Sequence, residues 1–309
     1  MSRPTVLLVA KRTAWANHVE RSPNPLVLGL LQRQDPTVTR MKAAHEAHLQ
    51  CLRVVEQALR EAQAEVRLVD DLALPLPLDG VSLLLTVGGD GTLLHASHQV
   101  ASTPVLGVNS APGLSIGFFC GADASTIDRL LPLALAGQLP AVPLHRMEVL
   151  CNDVVLSSRV LNEALFCNSC PAATSRYLLD FRGHEEEQRS SGLWVGPAAG
   201  STAALRSAGG EVLPLDSDLL QFVVREPYLV GGRPYQAMKS TFSRGEALRV
   251  RSKMYDGALY MDGIGRSFPV TLGDRVEFRL GPEPLRVFGL AGRRGQPFSA
   301  SPSAALPTG

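Results

Sequence analysis

Residues 88–92, Gly88-Gly89-Asp90-Gly91-Thr92, set one carboxylate between glycines directly after the apolar run VSLLLTV. Three glycines free the backbone to take φ > 0 and let a ligand approach closely. Backbone amides at the start of a following helix favour anionic phosphate oxygens. Asp90 between them can accept a proton from an attacking hydroxyl or help place Mg2+. A plain alternative is a tight turn in which Asp90 caps the helix. Further side chains with usable chemistry are Asn162-Glu163, Ser201-Thr202 and Lys11-Arg12-Thr13. An amide donor and acceptor beside a carboxylate suits a base edge and a ribose hydroxyl. Hydroxyls at the start of a short helix can receive phosphate or ribose oxygens, or simply cap the helix. Lys11-Arg12-Thr13 follows an apolar run, where it is either a phosphate contact or a solvated turn.

These residues need elements to hold them. Residues 5–10 (TVLLVA) read as a buried strand, and 65–69, 83–87 and 103–109 as three more. Between them, residues 39–64 place Leu49, Leu52, Val55 and Leu59 at helical spacing. His45 and His48 on that helix have no acidic or cysteine partner at matching spacing and read as a solvated face. Asp70-Asp71 either holds a ribose or ends its strand. Residues 122–137 read as a helix capped by Asp123 or Ser125 and ended by Gly137, with Pro132 kinking or shortening it. Alternation of strand and helix means parallel strands with right-handed crossovers. After Pro140 the texture changes to short apolar runs separated by turn residues, as in 147–150, 154–156, 159–165, 176–181, 219–225, 247–251, 257–261 and 276–280. The run Glu185-Glu186-Glu187 and Ser190-Ser191-Gly192 read as an exposed loop. Residues 200–208 are helix-like and stop at Gly209-Gly210.

The fold class expected is an α/β N-terminal domain with a Rossmann-like open parallel sheet, plus an all-β or α+β C-terminal domain. The boundaries expected are 1–120 for the first, rejoined by 283–298, then 121–282 for the second, with a disordered tail at 299–309.

Composition excludes several classes. With 309 residues, 45% apolar, 19% charged and a net charge of +1, the chain has no basic surface for nucleic acid. No run of about 18 apolar residues suggests a membrane span. The first residues do not read as a secretory signal. Five cysteines with one C-x-x-C, Cys167 and Cys170, are weak grounds for zinc. A cytoplasmic enzyme is expected. No G-x-x-x-x-G-K-[ST], no G-x-G-x-x-G after a strand, no H-E-x-x-H and no G-x-S-x-G occurs.

GGDGT with this flank resembles the NAD kinases, the diacylglycerol and sphingosine lipid kinases, and the phosphofructokinases. Asn162-Glu163 resembles the Asn-Glu motif of the NAD kinases. Residues 192–210, GLWVGPAAGSTAALRSAGG, resemble their GLxxSTPTGSTAYxxSAGG segment. Gly107-Val108-Asn109 with Gly117-Phe118 resembles their GVN…GFL step, and Met261-Asp262-Gly263 their late Asp-Gly turn. The family's Thr-Pro-Thr is here Pro197-Ala198-Ala199, its Tyr is Ala204, and its Asp before Gly-Leu is Ser191. With residues 171–177 (PAATSRY) and the Lys-x-Thr at Lys11, this pattern is similar to the plant NADH kinase branch.

The resemblance implies transfer of the γ-phosphoryl of ATP, with Mg2+ or another divalent cation, to the 2′-hydroxyl of the adenosine ribose of NAD+ or NADH. Asp90 is then the general base. The implied binding residues are Gly89, Gly91, Thr92, Asn109, Phe118, Asn162, Glu163, Ser191, Ala199, Ser201, Thr202, Ala203, Ser207, Lys11 and Arg12, with no resident protein-bound metal. Partners implied are the dinucleotide, ATP and further copies of the chain in a homodimer or homotetramer, with no nucleic acid and no membrane. The rivals are a lipid kinase sharing GGDGT and a dinucleotide-binding regulator without catalysis.

Overall fold

The computed structural model describes residues 3–70, 74–232, 234–263 and 265–292. The first layer is built from β1 (Thr5–Ala10), α1 (Pro25–Gln32), α2 (Thr39–Glu61), β2 (Glu65–Val69), β3 (Leu83–Gly88), α3 (Asp90–Ser97), β4 (Val105–Asn109), β5 (Ala122–Asp123), α4 (Ile127–Leu135) and β6 (Ala141–Leu144). Then come β7 (Met147–Cys151), β8 (Val154–Val160), β9 (Ala164–Asn168), β10 (Ser175–Phe181), β11 (His184–Ser190) and β12 (Gly192–Pro197). The short α5 (Ala204–Ser207) is followed by β13 (Leu220–Arg225), β14 (Lys239–Phe242), β15 (Ala247–Ser252), β16 (Gly257–Met261), β17 (Ser267–Val270), β18 (Arg275–Leu280) and β19 (Leu285–Phe288).

The first sheet has the order β2-β1-β3-β4-β19-β6, with β5 beside β4. Strands β1 to β5 pair in parallel, and β19 pairs parallel to β4 and antiparallel to β6. The sheet therefore continues past residue 120 and recruits a strand from beyond residue 280. Its central strands are Val- and Leu-rich because both faces are covered. Along β1 the side chains alternate: Val6 and Leu8 pack on Val55 and Leu59 of α2 and Ile127 and Leu131 of α4. Leu7 and Val9 face the other way, into a core shared with Leu93 and Ala96 of α3 and with Leu161, Ala199 and Leu215. Helix α3 is thus packed between the parallel sheet and the second half of the chain.

That second half is a sandwich of two antiparallel sheets, β11-β10-β15-β18-β7-β8 and β14-β13-β12-β9-β16-β17. Their inner faces interleave aromatics, with Phe166 edge-on to Tyr177 at 5.5 Å and Phe181 edge-on to Phe222 at 5.1 Å.

Several local expectations change. Residues 184–190 form β11 instead of a loop, paired along their whole length with β10. The helix expected over 122–137 is shorter: Ala122 and Asp123 join the sheet, and α4 starts after Thr126 without a side-chain cap. Pro132 sits inside α4, and Gly137 ends it in the left-handed region at φ 68°. His45 and His48 are buried. The stretch 200–208 is a 3-10 turn over Ala198–Thr202 followed by α5. The tail expected at 299–309, and Asp71, lie outside the described residues. No helix among the described residues is long and apolar enough to cross a membrane.

Candidate active site

Strand β3 runs straight into α3, with Gly89 between them in extended conformation (φ −126°, ψ −167°). Asp90 opens the helix, where a carboxylate complements the dipole. Its two oxygens accept the N–H groups of Phe118, at 2.9 Å, and Phe119, at 2.8 Å. The loop presenting those amides is shaped by Asn109. The Asn109 Nδ2 donates to the Ser115 carbonyl at 3.0 Å, and its Oδ1 accepts from Ala111 N–H at 3.1 Å. Gly117, at φ 65°, sits so close to Asn109 that a Cβ would fall 2.5 Å from Nδ2. Asn109 and Phe118 therefore build the cradle that orients Asp90.

The glycines beside Asp90 serve proximity, since none of Gly88, Gly89 and Gly91 has a positive φ, contrary to the reading from sequence. A Cβ on Gly88 would overlap the buried Thr92, whereas Gly91 faces open space.

At the end of β1, Lys11 lies beside Gly88, and its N–H donates to Val87 O at 3.0 Å. Arg12 is paired with Asp70, through Nη2 at 3.1 Å and Nε at 3.2 Å, which engages Asp70 and draws Arg12 to it. Thr13 is buried against His45, with Oγ1 2.8 Å from Nδ1, and His45 Nε2 lies 3.3 Å from Glu20. Burial, with Lys11 and His45 nearby, pushes the His48 pKa down to about 4. The solvated histidine face expected from spacing is thus a buried cluster against the β1 exit.

Asn162 and Glu163 occupy the connection from β8 to β9 rather than a strand. Three successive N–H groups there, of Leu161, Asn162 and Glu163, donate to the Asp262 carboxylate at 2.8, 2.7 and 3.1 Å. Asp262 N–H donates back to Glu163 O at 2.9 Å. Asp262 adopts φ 50°, a left-handed turn position tolerated by Asp, and Gly263 follows at φ 99°. The imidazole Nε2 of His98, at the end of α3, stands 2.8 Å from Asp262 Oδ2 as a close contact not aligned as a hydrogen bond. Asp262 thereby ties the Asn162-Glu163 turn to the helix that starts at Asp90. Sequence reading saw Asp262 only as part of a turn and missed His98; their link spans well over 150 residues and leaves no local spacing signal.

Burial pushes the Glu163 pKa up to about 7, with the Asp262 charge adding to it and hydrogen bonds from Asn162 and Ala204 opposing it. Its Oε2 is buried without a hydrogen-bond partner. The Ala198–Thr202 turn lies directly on this connection, because a Cβ on Gly200 would overlap the Asn162 backbone. Ser201 is fully buried, its Oγ donating to Ala198 O at 2.7 Å and accepting from Leu213 N–H at 3.0 Å. Ala199 belongs to the core. Thr202 and Ala203 are half-buried, and Ser207 is exposed on α5. Ser191 stands apart. It precedes β12 at the end away from Glu163, bordering a cavity of about 180 Å³ with Cys167, Arg225 and Tyr260.

A polar groove of about 460 Å³ runs beside Asp90, lined by Gly91, Leu94, His95 and His98 of α3 and by Asp262, Arg266 and Phe268 opposite.

A parallel sheet facing a β-sandwich is the fold this chain shares with solved NAD kinases. The structure matches an NAD kinase from Archaeoglobus fulgidus in complex with ATP at TM-score 0.65 and 20% identity, covering 94% of this chain and 95% of that one. Yeast NADH kinase complexed with NADH matches at TM-score 0.64 and 15% identity, covering 93% and 84%. Residues 30–139 match the family model for the ATP-NAD kinase N-terminal domain. Over 266 residues the chain is 35% identical to the NADH kinase of Arabidopsis thaliana, covering 79% of this chain and 84% of that relative. Over 233 residues it is 35% identical to the probable NADH kinase of Oryza sativa subsp. japonica, covering 68% and 72%. The chain belongs to the NAD kinase family and is an enzyme of that family.

Proposed function

We propose that the chain transfers the γ-phosphoryl of ATP to the 2′-hydroxyl of the adenosine ribose of NAD+ or NADH. The ribose oxygen forms the new bond to phosphorus, the bond to the β-phosphate oxygen breaks, and ADP leaves with that electron pair. Asp90 takes the hydroxyl proton. The observation that carries this reading is the Asp262 link, which brings the Asn162-Glu163 turn to the helix headed by Asp90. A carboxylate has about four lone-pair positions, so two amide donors leave Asp90 able to accept a hydroxyl. Phosphoryl transfer asks the protein chiefly for positioning and charge neutralisation.

In this reading Glu163 and Asn162 meet the ribose and base of the acceptor. Ala199 and Ser201 shape the Gly200 turn from within, Thr202, Ala203 and Ser207 border the acceptor, and Ser191 lies farther along it. Lys11 supplies positive charge at the phosphates, with Gly89, Gly91 and Thr92 giving backbone access. Arg12 contributes once released from Asp70.

Among the described residues no group of three or more His, Cys, Asp or Glu could hold a metal ion. Mg2+ would arrive with the nucleotide, because Mg2+ is commonly bound by one or two carboxylates plus substrate phosphates. Asp90, half-buried at the start of α3, is the carboxylate that could meet such an ion, which would neutralise charge on the phosphates. The plant relatives are named NADH kinases, and this supports NADH as an acceptor. A homodimer or homotetramer built through the sandwich, in the cytoplasm, completes the proposal.

The test is to incubate the protein with ATP, Mg2+ and, separately, NAD+, NADH and a diacylglycerol. Phosphorylation of a dinucleotide is expected. Phosphorylation of the lipid alone would overturn the reading, and a much higher kcat/KM for NAD+ than for NADH would remove NADH as the preferred acceptor.

A further inference from the structure

The C-x-x-C of the chain, Cys167 and Cys170, has no part in the proposed phosphoryl transfer. Side chains alternate along β9. Ala164 and Phe166 enter the core of the sandwich, so Cys167 points to the outer face of its sheet. That strand is interior, paired with β12 on one side and β16 on the other, which holds Cys167 in place. Gly192 on the neighbouring strand leaves room for it, since a Cβ there would stand 2.8 Å from the Cys167 Cβ. Past β9 the chain bends at Ser169 and Cys170, and Asn168 Oδ1 accepts the Cys170 N–H at 2.9 Å. Both cysteines border one cavity of about 180 Å³, together with Ser191, Arg225 and Tyr260. Residues three apart on the walls of so small a space lie within reach of the Cα separation of about 4.4–6.8 Å that a disulfide takes. Cys167 is buried and Cys170 is exposed, so one thiol is shielded and solvent reaches the other. Arg225 adds a cation to the same walls, its guanidinium held 5.6 Å from the centroid of the Trp194 ring. A neighbouring guanidinium favours the thiolate, the reactive form of cysteine. Burial pushes the Cys167 thiol up, and Arg225 opposes that push. The other cysteines lie elsewhere: Cys51 on α2, Cys120 before β5 and Cys151 at the end of β7 in the facing sheet. Burial, with Asp123 nearby, pushes the Cys51 pKa up to about 11, which leaves that thiol inert.

We propose that Cys167 and Cys170 form a reversible oxidation site, closed to a disulfide by hydrogen peroxide and reopened by a dithiol. The Cys170 thiolate attacks one peroxide oxygen. The S–O bond forms, the O–O bond breaks, and the departing hydroxide takes up the proton that Cys170 gave up, leaving as water. Cys167 then attacks the sulfur of the Cys170 sulfenic acid. The S–S bond forms, the S–O bond breaks, and the Cys167 proton leaves with that oxygen as a second water. Two thiols are oxidised and one peroxide is reduced to two waters. A dithiol reverses the step by thiol–disulfide exchange, becoming a disulfide itself. Closing the bond ties the connection after β9 to an interior strand and narrows the cavity that Ser191 borders.

The experiment treats the full chain with an equimolar amount of hydrogen peroxide, labels the remaining thiols with N-ethylmaleimide in urea, and maps tryptic peptides by mass spectrometry. Cleavage after Arg159 and Arg176 releases residues 160–176, which carry Cys167 and Cys170 and no other cysteine. That peptide should lose both labels and be lighter by two hydrogens, while Cys51, Cys120 and Cys151 stay labelled. Dithiothreitol added before the label should restore both. Cys167→Ser should stop the reaction at the Cys170 sulfenic acid, which dimedone captures. Cys170→Ser should leave Cys167 labelled at the same peroxide dose. Oxidation of another cysteine ahead of this pair, or a disulfide that joins two chains, overturns the proposal. So does a wild-type Cys170 sulfenic acid that dimedone captures but that never becomes the disulfide. Turnover is not read in any arm, so the oxidation site stands or falls apart from the proposed phosphoryl transfer.

Discussion

Asp90 and Glu163 are carboxylates with opposite surroundings. Asp90 is offered two backbone donors, whereas Glu163 is buried with one oxygen unpartnered and a second carboxylate beside it. Asp90→Asn keeps the shape but cannot take a proton, so kcat should fall by about two to four orders of magnitude while dinucleotide still binds. Single-turnover kinetics with a parallel binding titration checks both halves. For Glu163 the folded pKa of about 7 lies above its ordinary value, so the folded state binds more protons than the unfolded one between those values. Stability therefore falls as pH rises from about 4.5 to about 7, and Glu163→Gln should flatten that slope in urea unfolding. His48 runs the other way. Its folded pKa of about 4 means stability falls as pH drops below about 6.5, and His48→Gln should relieve that acid-side loss.

Helix α3 is the element on which the site is strung. Its last carbonyls are received by arginines from the sandwich side. Fully buried Arg146 donates through Nη1 to Ser97 O at 3.1 Å and Val100 O at 2.8 Å, and Arg159 donates to His98 O at 3.2 Å. Both arginines meet Glu283, at 3.2 and 3.0 Å. Burial pulls the Arg146 pKa down to about 10, with Glu283 opposing that pull. Arg146→Met strands these acceptors and should cost about 3 kcal/mol, near the low end for breaking a buried pair because Glu283 still reaches water. Denaturant unfolding reads this directly. On the other wall, Gly200→Ala forces a Cβ into the Asn162 backbone and should cost about 1–3 kcal/mol by overpacking, with a raised KM for dinucleotide.

Elements with apolar runs were legible in sequence, as β1, β3 and β16 show. β11 was not, because HEEEQRS is polar throughout and becomes a strand only by pairing with β10. Nor were β6 and β17, each carrying a proline, which both lie at sheet edges where a missing N–H is tolerated.

At the scale of the molecule, the motif order along the chain pointed to the two-layer architecture and to the main site segments. The joints stayed hidden, since each pairs residues far apart in sequence: Phe118 with Asp90, Asp262 with Asn162, Arg146 with Glu283. The most distant joint is β19, which inserts between β4 and β6. Removing residues 282–309 should leave the first sheet split and abolish a cooperative unfolding transition by circular dichroism.

The chain passes between the layers twice, once near Arg146 and once near Gly281, and these passages are bonded to each other, Gly281 N–H to Arg146 O at 2.8 Å. Gly281 has no room for a side chain there, since a Cβ would stand 2.9 Å from that same oxygen. Two covalent straps lying side by side act as a double seam. They fix where the sandwich joins the parallel sheet, and the apolar cluster of Leu7, Val9 and Leu93 with Leu161, Ala199 and Leu215 fills the space beside them. The alignment of Asp90 with the wall that carries Asn162 and Glu163 is therefore set by the join itself as much as by the residues of the site.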